Sequence, residues 1–387
     1  MNSEFPYMEV DLDRVKDNLF KICKKTCKKT EQVIAVVKDN SYGLGAAAVA
    51  KVLQNTGVVW FAVAAVDEAL FLRENGITGD ILVLGITDEN CFKAASQHNI
   101  TLSIIDRTQL SVIEKNYRDC NFKWHLNIDT GMHRDGIMYD WILNGNTEFV
   151  EKLVKLKSVI NGVYTHFHSS DSKKQKSVVL QQNNFKKAIS ALQNAGFNFD
   201  IIHASNSGAC AYSNVGENEY IRPGTLLYGC RPDPNRDTGI DVYEAVKICS
   251  RISSVRYVKK GQGVSYGNIW KAPENTKIAT IQIGYADGFP RVISKTAFVI
   301  IKGKKYPVVG RITMDYIMAN IGSETEINVG DEVVIAGKSD NLQISVDELA
   351  QNARTIGYEL MCKFGGLMNH KYILNGQVIS FHKRELF

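Results

Sequence analysis

Up to Leu227 the chain alternates between short apolar runs and longer stretches in which apolar residues recur at helical spacing. A short apolar run predicts a strand buried on both faces, and the wider spacing predicts an amphipathic helix. The predicted strands are Val33–Val37, Trp60–Val66, Ile81–Ile86, Thr101–Ile105, Trp124–Ile128, Gly162–Phe167, Phe199–His203 and Tyr220–Leu227. The clearest predicted helices are Ala46–Leu53, Asp67–Arg73, Leu110–Lys115, Val150–Leu156 and Val178–Leu192.

The number of these repeats indicates the class of fold. Eight alternations of strand and helix predict an α/β protein with a (β/α)8 barrel of the TIM type, which we place at residues 10–235. An open doubly wound sheet also has strands that alternate with helices. It rarely needs eight strands, however, and no G-x-G-x-x-G motif follows the first predicted strand.

The pattern changes near Arg231–Arg236, where short strands and turns replace the alternation. This change predicts a second, C-terminal and mostly β domain made of residues 236–387 together with residues 1–9. One helix is predicted near Ser345–Arg354. The predicted strands are Ile252–Val258, Thr276–Ile283, Ala297–Ile301, Tyr306–Val309, Ile317–Ile321 and Glu332–Ala336.

Composition narrows the classes of function. The 387 residues are 44% hydrophobic and 22% charged, which is ordinary for a globular protein. The net charge of +5 is spread along the chain, and its lysine clusters lack interleaved aromatic residues, so nucleic-acid binding is not expected. There is no apolar run of membrane-spanning length and no signal peptide pattern. The eight scattered cysteines are expected to be free thiols, without a metal site, in a cytoplasmic protein.

Polar residues follow several predicted strands at the ends where a barrel carries its functional groups. Lys38 ends the first strand, and a buried ammonium group there is costly unless it is paired or neutralised. An enzyme that forms a Schiff base needs such a desolvated amine. The other strand-end residues are Arg134 after the fifth strand, His166 at the sixth, His203 and Ser207 at the seventh, and Arg222 and Gly224 at the eighth.

These side chains suit a carbonyl cofactor that carries a phosphate, and pyridoxal phosphate has both groups. Lys38 is the predicted Schiff-base lysine, and Arg222 is predicted to face the pyridine nitrogen. Small and hydroxyl-bearing residues at the last two strands are typical of a phosphate cradle. The predicted phosphate ligands are Tyr42, Ser207, Gly224 and Thr225.

Six short motifs in one order carry a resemblance that extends over nearly the full chain. The chain resembles the alanine racemase family of fold-type III pyridoxal-phosphate enzymes. The motifs are V-K-D-N-S-Y-G at 37–43, D-T-G-M-H-R-D-G at 129–136, V-S-Y-G at 264–267, G-Y-A-D-G-F-P-R at 284–291, G-R-I-T-M-D at 310–315 and T-I-G-Y-E at 355–359.

The resemblance implies a reaction and an assembly. It implies interconversion of L-alanine and D-alanine by two bases, Lys38 and Tyr266, on opposite faces of the substrate, in supply of D-alanine for cell-wall peptidoglycan. It also implies a head-to-tail homodimer in which Tyr266 reaches the active site of the other subunit. Tyrosine is a weak base, and in this family a histidine matching His166 favours its ionised form.

Further residues take roles from the same resemblance. Arg134 and the backbone near Met314 of the partner subunit are expected to orient the substrate carboxylate, and His203 is expected to bridge to Arg222. Tyr358 is expected to contact the phosphate and, with Tyr285, to line the substrate entrance unless both are packing residues. Arg291, Arg311 and Asp171 complete the expected access corridor.

Some positions depart from the family pattern. Asn127 stands where many members have a lysine that becomes carbamylated and supports Arg134, so either Arg134 lacks an anionic partner or a bound anion such as chloride replaces it. Asp39 replaces an alanine beside the lysine and is expected to point away from it. The family's R-x-P-R is missing, and Gly366–Tyr372 stands in its place, so an arginine of the access corridor is expected to be missing.

Three alternatives to an alanine racemase remain. A racemase of the same family acting on serine or a larger amino acid would share every motif. A fold-type III decarboxylase would share the barrel and the lysine, but its reaction needs no base equivalent to Tyr266. A non-catalytic pyridoxal-phosphate binder would lack the β domain that this sequence predicts.

Overall fold

A computed structural model describes residues 4–116, 123–144, 147–216 and 219–383. Within these residues the chain forms a parallel barrel surrounded by helices and a separate, mostly β domain, so the predicted α/β fold class is confirmed. The first strand, β1 (Tyr7–Asp11), belongs to the sheet of the second domain, and the chain enters the barrel after it.

The barrel strands are parallel and pair in chain order around the sheet, with one two-residue strand, β7, beside β6. A parallel bridge between Val33 and Ile221 closes the ring, together with a 3.0 Å hydrogen bond from the Val36 N–H to the Pro223 carbonyl oxygen. The strands are β2 (Ile34–Val36), β3 (Trp60–Val63), β4 (Asp80–Val83), β5 (Ile100–Ile104), β6 (Trp124–Asp129), β7 (Ile137–Met138), β8 (Ile160–Tyr164), β9 (Ile201–Asn206) and β10 (Tyr220–Arg222).

Amphipathic helices cover the outside of the barrel. The first of them begins where the Asp11 carboxylate accepts a hydrogen bond from the Arg14 N–H, and it buries Val15, Leu19 and Ile22. The helices of this half are α1 (Leu12–Thr26), the short turn α2 (Lys38–Tyr42), α3 (Ala46–Asn55), α4 (Val66–Glu74), α5 (Phe92–Gln97), α6 (Arg107–Asn116), α7 (Tyr139–Leu143), α8 (Thr147–Lys155), α9 (Lys176–Asn194) and α10 (Ser207–Tyr212).

The predicted eighth strand, Tyr220–Leu227, is wrong in its second half. The strand ends at Arg222, and Thr225–Tyr228 forms a 3-10 turn. Pro223 has no N–H group with which to continue the ladder. The sixth strand likewise ends at Tyr164, which leaves His166 in the loop that follows.

The second domain is built on one large, mainly antiparallel sheet in which β1 lies between β11 and β20. The order is β16-β15-β18-β11-β1-β20-β21, with β14 joining β11 to β17. The strands are β11 (Val246–Val258), β12 (Gly263–Val264), β13 (Trp270–Lys271), β14 (Thr276–Ile281), β15 (Phe298–Ile301), β16 (Lys304–Pro307), β17 (Ile317–Gly322), β18 (Glu332–Ser339), β19 (Leu342–Ile344), β20 (Asn369–Leu374) and β21 (Gln377–His382).

Three features of this domain differ from the sequence prediction. The strand predicted at Ile252–Val258 begins at Val246, and β20 and β21 were not predicted. The single predicted helix is α11 (Val346–Asn352), and a second helix, α12 (Gly357–Leu367), follows it. Because β20 pairs with β1 from the other end of the chain, its main partner is too distant in sequence for a local pattern to reveal.

The described cysteines are free thiols, as predicted, and Cys120 lies outside the described residues. Across the same part of the chain, every helix is too short or too polar to cross a bilayer.

Candidate active site

A cavity of about 690 Å³ opens at the carboxyl ends of the barrel strands. Parallel strands bring their carboxyl ends to one edge, so side chains that are far apart in sequence meet there. Ten of the residues predicted from sequence line this cavity: Lys38, Tyr42, Arg134, His166, Asp171, Ser207, Arg222, Gly224, Thr225 and Tyr358.

The turn that carries Lys38 and Tyr42 has an unusual backbone. Four successive residues that are not glycine, Asp39 to Tyr42, have φ between 52° and 56°, the left-handed region. Such a conformation costs roughly 1–2 kcal/mol per residue in an L-amino acid, so other contacts must hold it. The Glu68 carboxylate accepts hydrogen bonds from the Asp39 N–H at 2.5 Å and from the Ala64 N–H at 2.7 Å.

The far end of the chain holds the same turn from its other side. Helix α12 packs directly on Gly43, and a Cβ at position 43 would lie 2.5 Å from the Met361 carbonyl oxygen. His370 lies in β20, with its Nε2 2.7 Å from the Gly43 carbonyl oxygen. The segment that departs from the family's R-x-P-R therefore supports the lysine-bearing turn.

Asp39 was expected to point away from Lys38, and that expectation is wrong. Its Oδ2 lies 3.1 Å from the Lys38 Nζ, and both residues line the cavity. The side chain of Asp39 remains 54% exposed, so water reaches this ion pair. The amine of Lys38, at the end of the first barrel strand, is therefore paired with a carboxylate.

Arg222 forms the buried floor of the site. Its side chain is 3% exposed, and its Nη1 lies 2.8 Å from the His203 Nδ1. Its Nη2 donates to the Thr165 carbonyl oxygen at 2.8 Å and to the Ala204 carbonyl oxygen at 3.2 Å. A guanidinium group with this many partners is fixed in orientation.

The hydrogen bonds of Arg222 also fix the protonation of the histidines behind it. Guanidinium has only donors, so the His203 Nδ1 must accept, and its Nε2 then donates to the His125 Nδ1 at 2.9 Å. Burial, followed by the nearby Arg222 charge, lowers the pKa of His203 well below its usual value and that of His125 to about 3. Both histidines are therefore neutral near pH 7.

His166 lies at the edge of the same group. Its Nδ1 is 3.4 Å from the Arg222 Nη2, and its Nε2 is 3.3 Å from the Asn206 Nδ2. Asn206 is oriented in turn, because its Oδ1 accepts from the Ser170 hydroxyl at 2.6 Å. Burial and then Arg222 lower the pKa of His166 to about 3, so this ring is neutral as well.

A group of hydrogen-bond donors also lines the cavity. The Ser207 hydroxyl accepts from the Gly224 N–H at 2.9 Å, which leaves its own proton for another partner. Burial raises the pKa of Tyr42, so this phenol keeps its proton and is a donor. A Cβ at position 224 would lie 2.6 Å from the Tyr42 hydroxyl oxygen, so glycine preserves the space between them.

Arg134 lies in a loop folded around the Asp129 carboxylate, which accepts from the N–H groups of residues 131, 132 and 133. Its Nε is 3.4 Å from the Asp135 Oδ2. The other oxygen of Asp135 accepts from the Asn127 Nδ2 at 2.9 Å. Arg134, whose anionic partner the sequence left open, is thus paired with Asp135 and linked through it to Asn127.

Apart from the buried His203, the remaining predicted residues belong to an exposed face of the C-terminal domain and are not among the residues that line the Lys38 cavity: Tyr266, Tyr285, Arg291, Arg311 and Met314. Tyr266 is 70% exposed and Met314 is 53% exposed. Backbone contacts join this face: the Ser265 hydroxyl donates to the Arg311 carbonyl oxygen at 2.6 Å, and the Tyr285 N–H donates to the Thr313 carbonyl oxygen at 3.1 Å.

Tyr285 and Arg291 line a smaller cavity of about 410 Å³ beside this face. Glu359 lines both cavities, so helix α12 forms the wall between them. A single chain therefore brings Lys38 and Arg222 together and leaves Tyr266 on a different surface.

Two family models match the chain in sequence order. One describes the alanine racemase N-terminal domain and covers residues 10–232, and the other describes the C-terminal domain and covers residues 245–372. The chain belongs to the alanine racemase family. Alanine racemase 2 of Bacillus subtilis is 36% identical over 385 residues, which cover 97% of this chain and 96% of that protein. Alanine racemase 2 of Caldanaerobacter subterraneus subsp. tengcongensis is 34% identical and covers 96% of each.

Solved structures of the family have the same fold. The alanine racemase from Bacillus anthracis with bound L-Ala-P superposes with a TM-score of 0.89 at 30% identity, covering 99% of this chain and 98% of that one. The alanine racemase from Clostridium difficile 630 gives a TM-score of 0.86 at 32% identity and covers 99% of both chains.

Sequence reasoning missed three polar residues of the site. His125 lies inside β6 and carried no signal, because a lone histidine in an apolar strand is usually structural. Asn206 is the last residue of β9, and Asp135 directly follows Arg134 in the loop after β6. A search of the polar residues at strand ends would have found Asn206, whereas Asp135 required a search of the whole loop that carries Arg134.

Proposed function

We propose that this chain is a pyridoxal-phosphate-dependent isomerase that interconverts L-alanine and D-alanine, with Lys38 and Tyr266 as its two bases. One observation carries the proposal: the Lys38 amine, the buried Arg222 guanidinium and the hydroxyl groups of Tyr42 and Ser207 line a single cavity. Membership of the alanine racemase family supports the same reaction.

The donors of the cavity fit the cofactor. Tyr42, Ser207 and the backbone at Gly224 and Thr225 would hold the phosphate, with Tyr358 beside them. The space that Gly224 preserves next to the Tyr42 hydroxyl suits a phosphate oxygen. When bound, the cofactor supplies the electron sink that makes the α-hydrogen of an amino acid acidic.

Arg222 would set how strongly the cofactor ring withdraws electrons, without giving up a proton. It would face the ring nitrogen from its buried position, where His203 and two carbonyl oxygens fix the guanidinium. A guanidinium stays protonated near pH 7, so it donates a hydrogen bond and transfers nothing. A ring that stays unprotonated withdraws fewer electrons, which limits side reactions such as transamination.

Lys38 and Tyr266 would divide the proton transfers between the two faces of the substrate. Lys38 exchanges a proton on one face, and Tyr266 of a second subunit exchanges one on the other. His166, neutral and next to Arg222, supports the ionised form of this tyrosine. The exposure of Tyr266 in its own chain favours a head-to-tail homodimer with shared sites.

The other roles follow from this arrangement. Arg134 and the backbone at Met314 would orient the substrate carboxylate. Tyr285, Arg291, Arg311 and Asp171 would line the access corridor. The cytoplasm remains the predicted location, and the product would serve peptidoglycan synthesis.

Exchange of the α-hydrogen tests the reaction. The purified protein, saturated with pyridoxal phosphate, is incubated with L-alanine in deuterated water and followed by NMR, while chiral chromatography measures D-alanine. We expect exchange and racemisation together, with no activity in Lys38→Ala. Absence of exchange at full cofactor occupancy would overturn the proposal. Faster racemisation of serine than of alanine would change the substrate but not the reaction class.

Mixing inactive variants tests the shared site. Lys38→Ala lacks one base and Tyr266→Phe lacks the other, so a mixed dimer contains one site with both residues intact. We expect the mixture to recover part of the wild-type rate, with a dimer in analytical ultracentrifugation. No recovery in a mixture shown to exchange subunits would place both bases in one chain.

A further inference from the structure

Within the described residues, Arg134 pairs with one neighbour on its own loop, Asp135. The Arg134 side chain is 56% exposed, and a long, exposed side chain samples many rotamers. A guanidinium that is to receive a substrate carboxylate in two parallel hydrogen bonds must present one edge in a fixed direction. The structure therefore has to restrict Arg134 by a contact that does not occupy that edge.

Asp135 makes such a contact. Its Oδ2 lies 3.4 Å from the Nε of Arg134, which is the nitrogen nearest the backbone. A partner at Nε leaves both terminal nitrogens of the guanidinium for a ligand. Asp135, Arg134 and Asn127 all line the Lys38 cavity, so the pair lies where a substrate would bind.

Asn127 fixes the carboxylate in turn. Its amide is 3% exposed within β6, the strand that precedes the loop, and its Nδ2 donates to the Asp135 Oδ1 at 2.9 Å. A side chain inside a barrel strand is held more rigidly than one on a loop. The buried strand therefore holds Asn127, Asn127 holds Asp135, and Asp135 contacts the exposed Arg134.

We propose that Asp135 is a positioning residue for substrate binding: held by Asn127, its carboxylate fixes the Nε edge of Arg134 and directs the terminal nitrogens to the substrate carboxylate. This inference rests on the proposed function. The carboxylate of Asp135 then serves as the anion beside Arg134, so the holoenzyme requires neither chloride nor bicarbonate for activity.

Propionate tests the inference separately from the reaction. It keeps the carboxylate and methyl group of alanine but has no amine, so its binding to the holoenzyme needs no proton transfer. We expect Asp135→Ala to raise the dissociation constant of propionate and the KM for alanine about tenfold, with kcat changed less than about twofold. Calorimetry measures the first quantity and initial rates the others.

Two further variants make the test specific. Asn127→Ala should raise the propionate constant in the same direction, and the double variant should be no worse than Asp135→Ala, because the two residues act as one unit. Glu114→Gln, which removes a surface carboxylate paired with Lys155, is the matched control and should leave binding unchanged. Added formate should partly restore binding in Asp135→Ala and have no such effect on the wild type.

The outcomes separate the two proposals. An unchanged propionate constant in Asp135→Ala, additive effects of the two substitutions, or a wild-type rate that depends on added chloride or bicarbonate would each overturn the role of Asp135. A wild-type holoenzyme that binds propionate through Asp135 but exchanges no α-hydrogen would instead overturn the proposed function.

Discussion

One chain assembles most of the Lys38 cavity, whereas it leaves exposed the face of the C-terminal domain that carries Tyr266 and Met314. In the cavity, Arg222 is buried and its guanidinium has partners fixed by the strands, and Lys38 lies on a turn held from two sides. On the face, Tyr266 and Met314 are mostly exposed. Folding of a single chain therefore organises the cofactor half of the proposed site, whereas the second base needs another surface to become part of it.

The largest expected effect separates the two regions by chemistry. Tyr266→Phe should lower kcat/KM for alanine by about 100- to 10,000-fold, because it removes the proposed second base, while cofactor content stays at the wild-type level. Absorbance of the bound cofactor and racemisation assays measure the two quantities. Tyr257→Phe alters another exposed tyrosine of the same domain and should retain activity. A fully active Tyr266→Phe would remove this residue from the reaction.

Stability should distinguish the regions next. Arg222→Ala leaves the His203 Nδ1 and two carbonyl oxygens without their buried donor, so the free energy of unfolding of the cofactor-free protein should fall by about 3 kcal/mol. Arg311→Ala on the exposed face should change it by less than about 0.5 kcal/mol. Urea unfolding followed by circular dichroism measures both. Equal losses of unfolding free energy would show that Arg222 stabilises the protein no more than Arg311 does.

The smallest effect concerns pH at the junction between the barrel and the second sheet. Burial raises the pKa of Glu244 from its ordinary value of 4.5 to about 7. The folded state then binds this proton more tightly than the unfolded state does. The contribution of Glu244 to the free energy of unfolding is therefore fully present below pH 4.5 and is lost as the pH rises through 7. The buried histidines of the barrel have lowered pKa values and act in the opposite direction, since their contribution is lost as the pH falls below 6.5.

Glu244→Gln isolates the first of these contributions. The glutamine still accepts the hydrogen bond that Glu244 receives from the Val346 N–H, but it never ionises. We expect it to stabilise the protein by about 2 kcal/mol at pH 8 and by much less at pH 5. Urea unfolding at both pH values checks this, with the exposed Glu274→Gln as control. An equal shift at the two pH values would contradict a buried, reluctantly ionised carboxyl group.

The sequence was most informative where one local pattern decides the structure. Apolar runs placed most barrel strands, and the parallel arrangement then brought Lys38, Ser207 and Arg222 to one edge. The error at the eighth strand had a local cause as well, because Pro223 ends the ladder there. Such positions follow from propensity and burial alone.

Other features depend on contacts that no local pattern contains. Asp39 and Asn40 tolerate a left-handed backbone as single residues, but a run of four such residues does not follow from local preference, and Glu68, α12 and His370 hold it. The ion pair of Asp39 with Lys38 follows from that turn and was mispredicted with it. His125 became interpretable only once its ring was seen to continue the hydrogen bonds from Arg222 through His203.

The contact of Gly43 with Met361 and His370 has a consequence for biosynthesis. The lysine-bearing turn leaves the ribosome well before the residues that press on it, because His370 lies 327 positions after Gly43 in the chain. A nascent chain that has already formed most of the barrel still lacks the support for this turn. The support for this turn is therefore complete only after α12 and β20 have been translated.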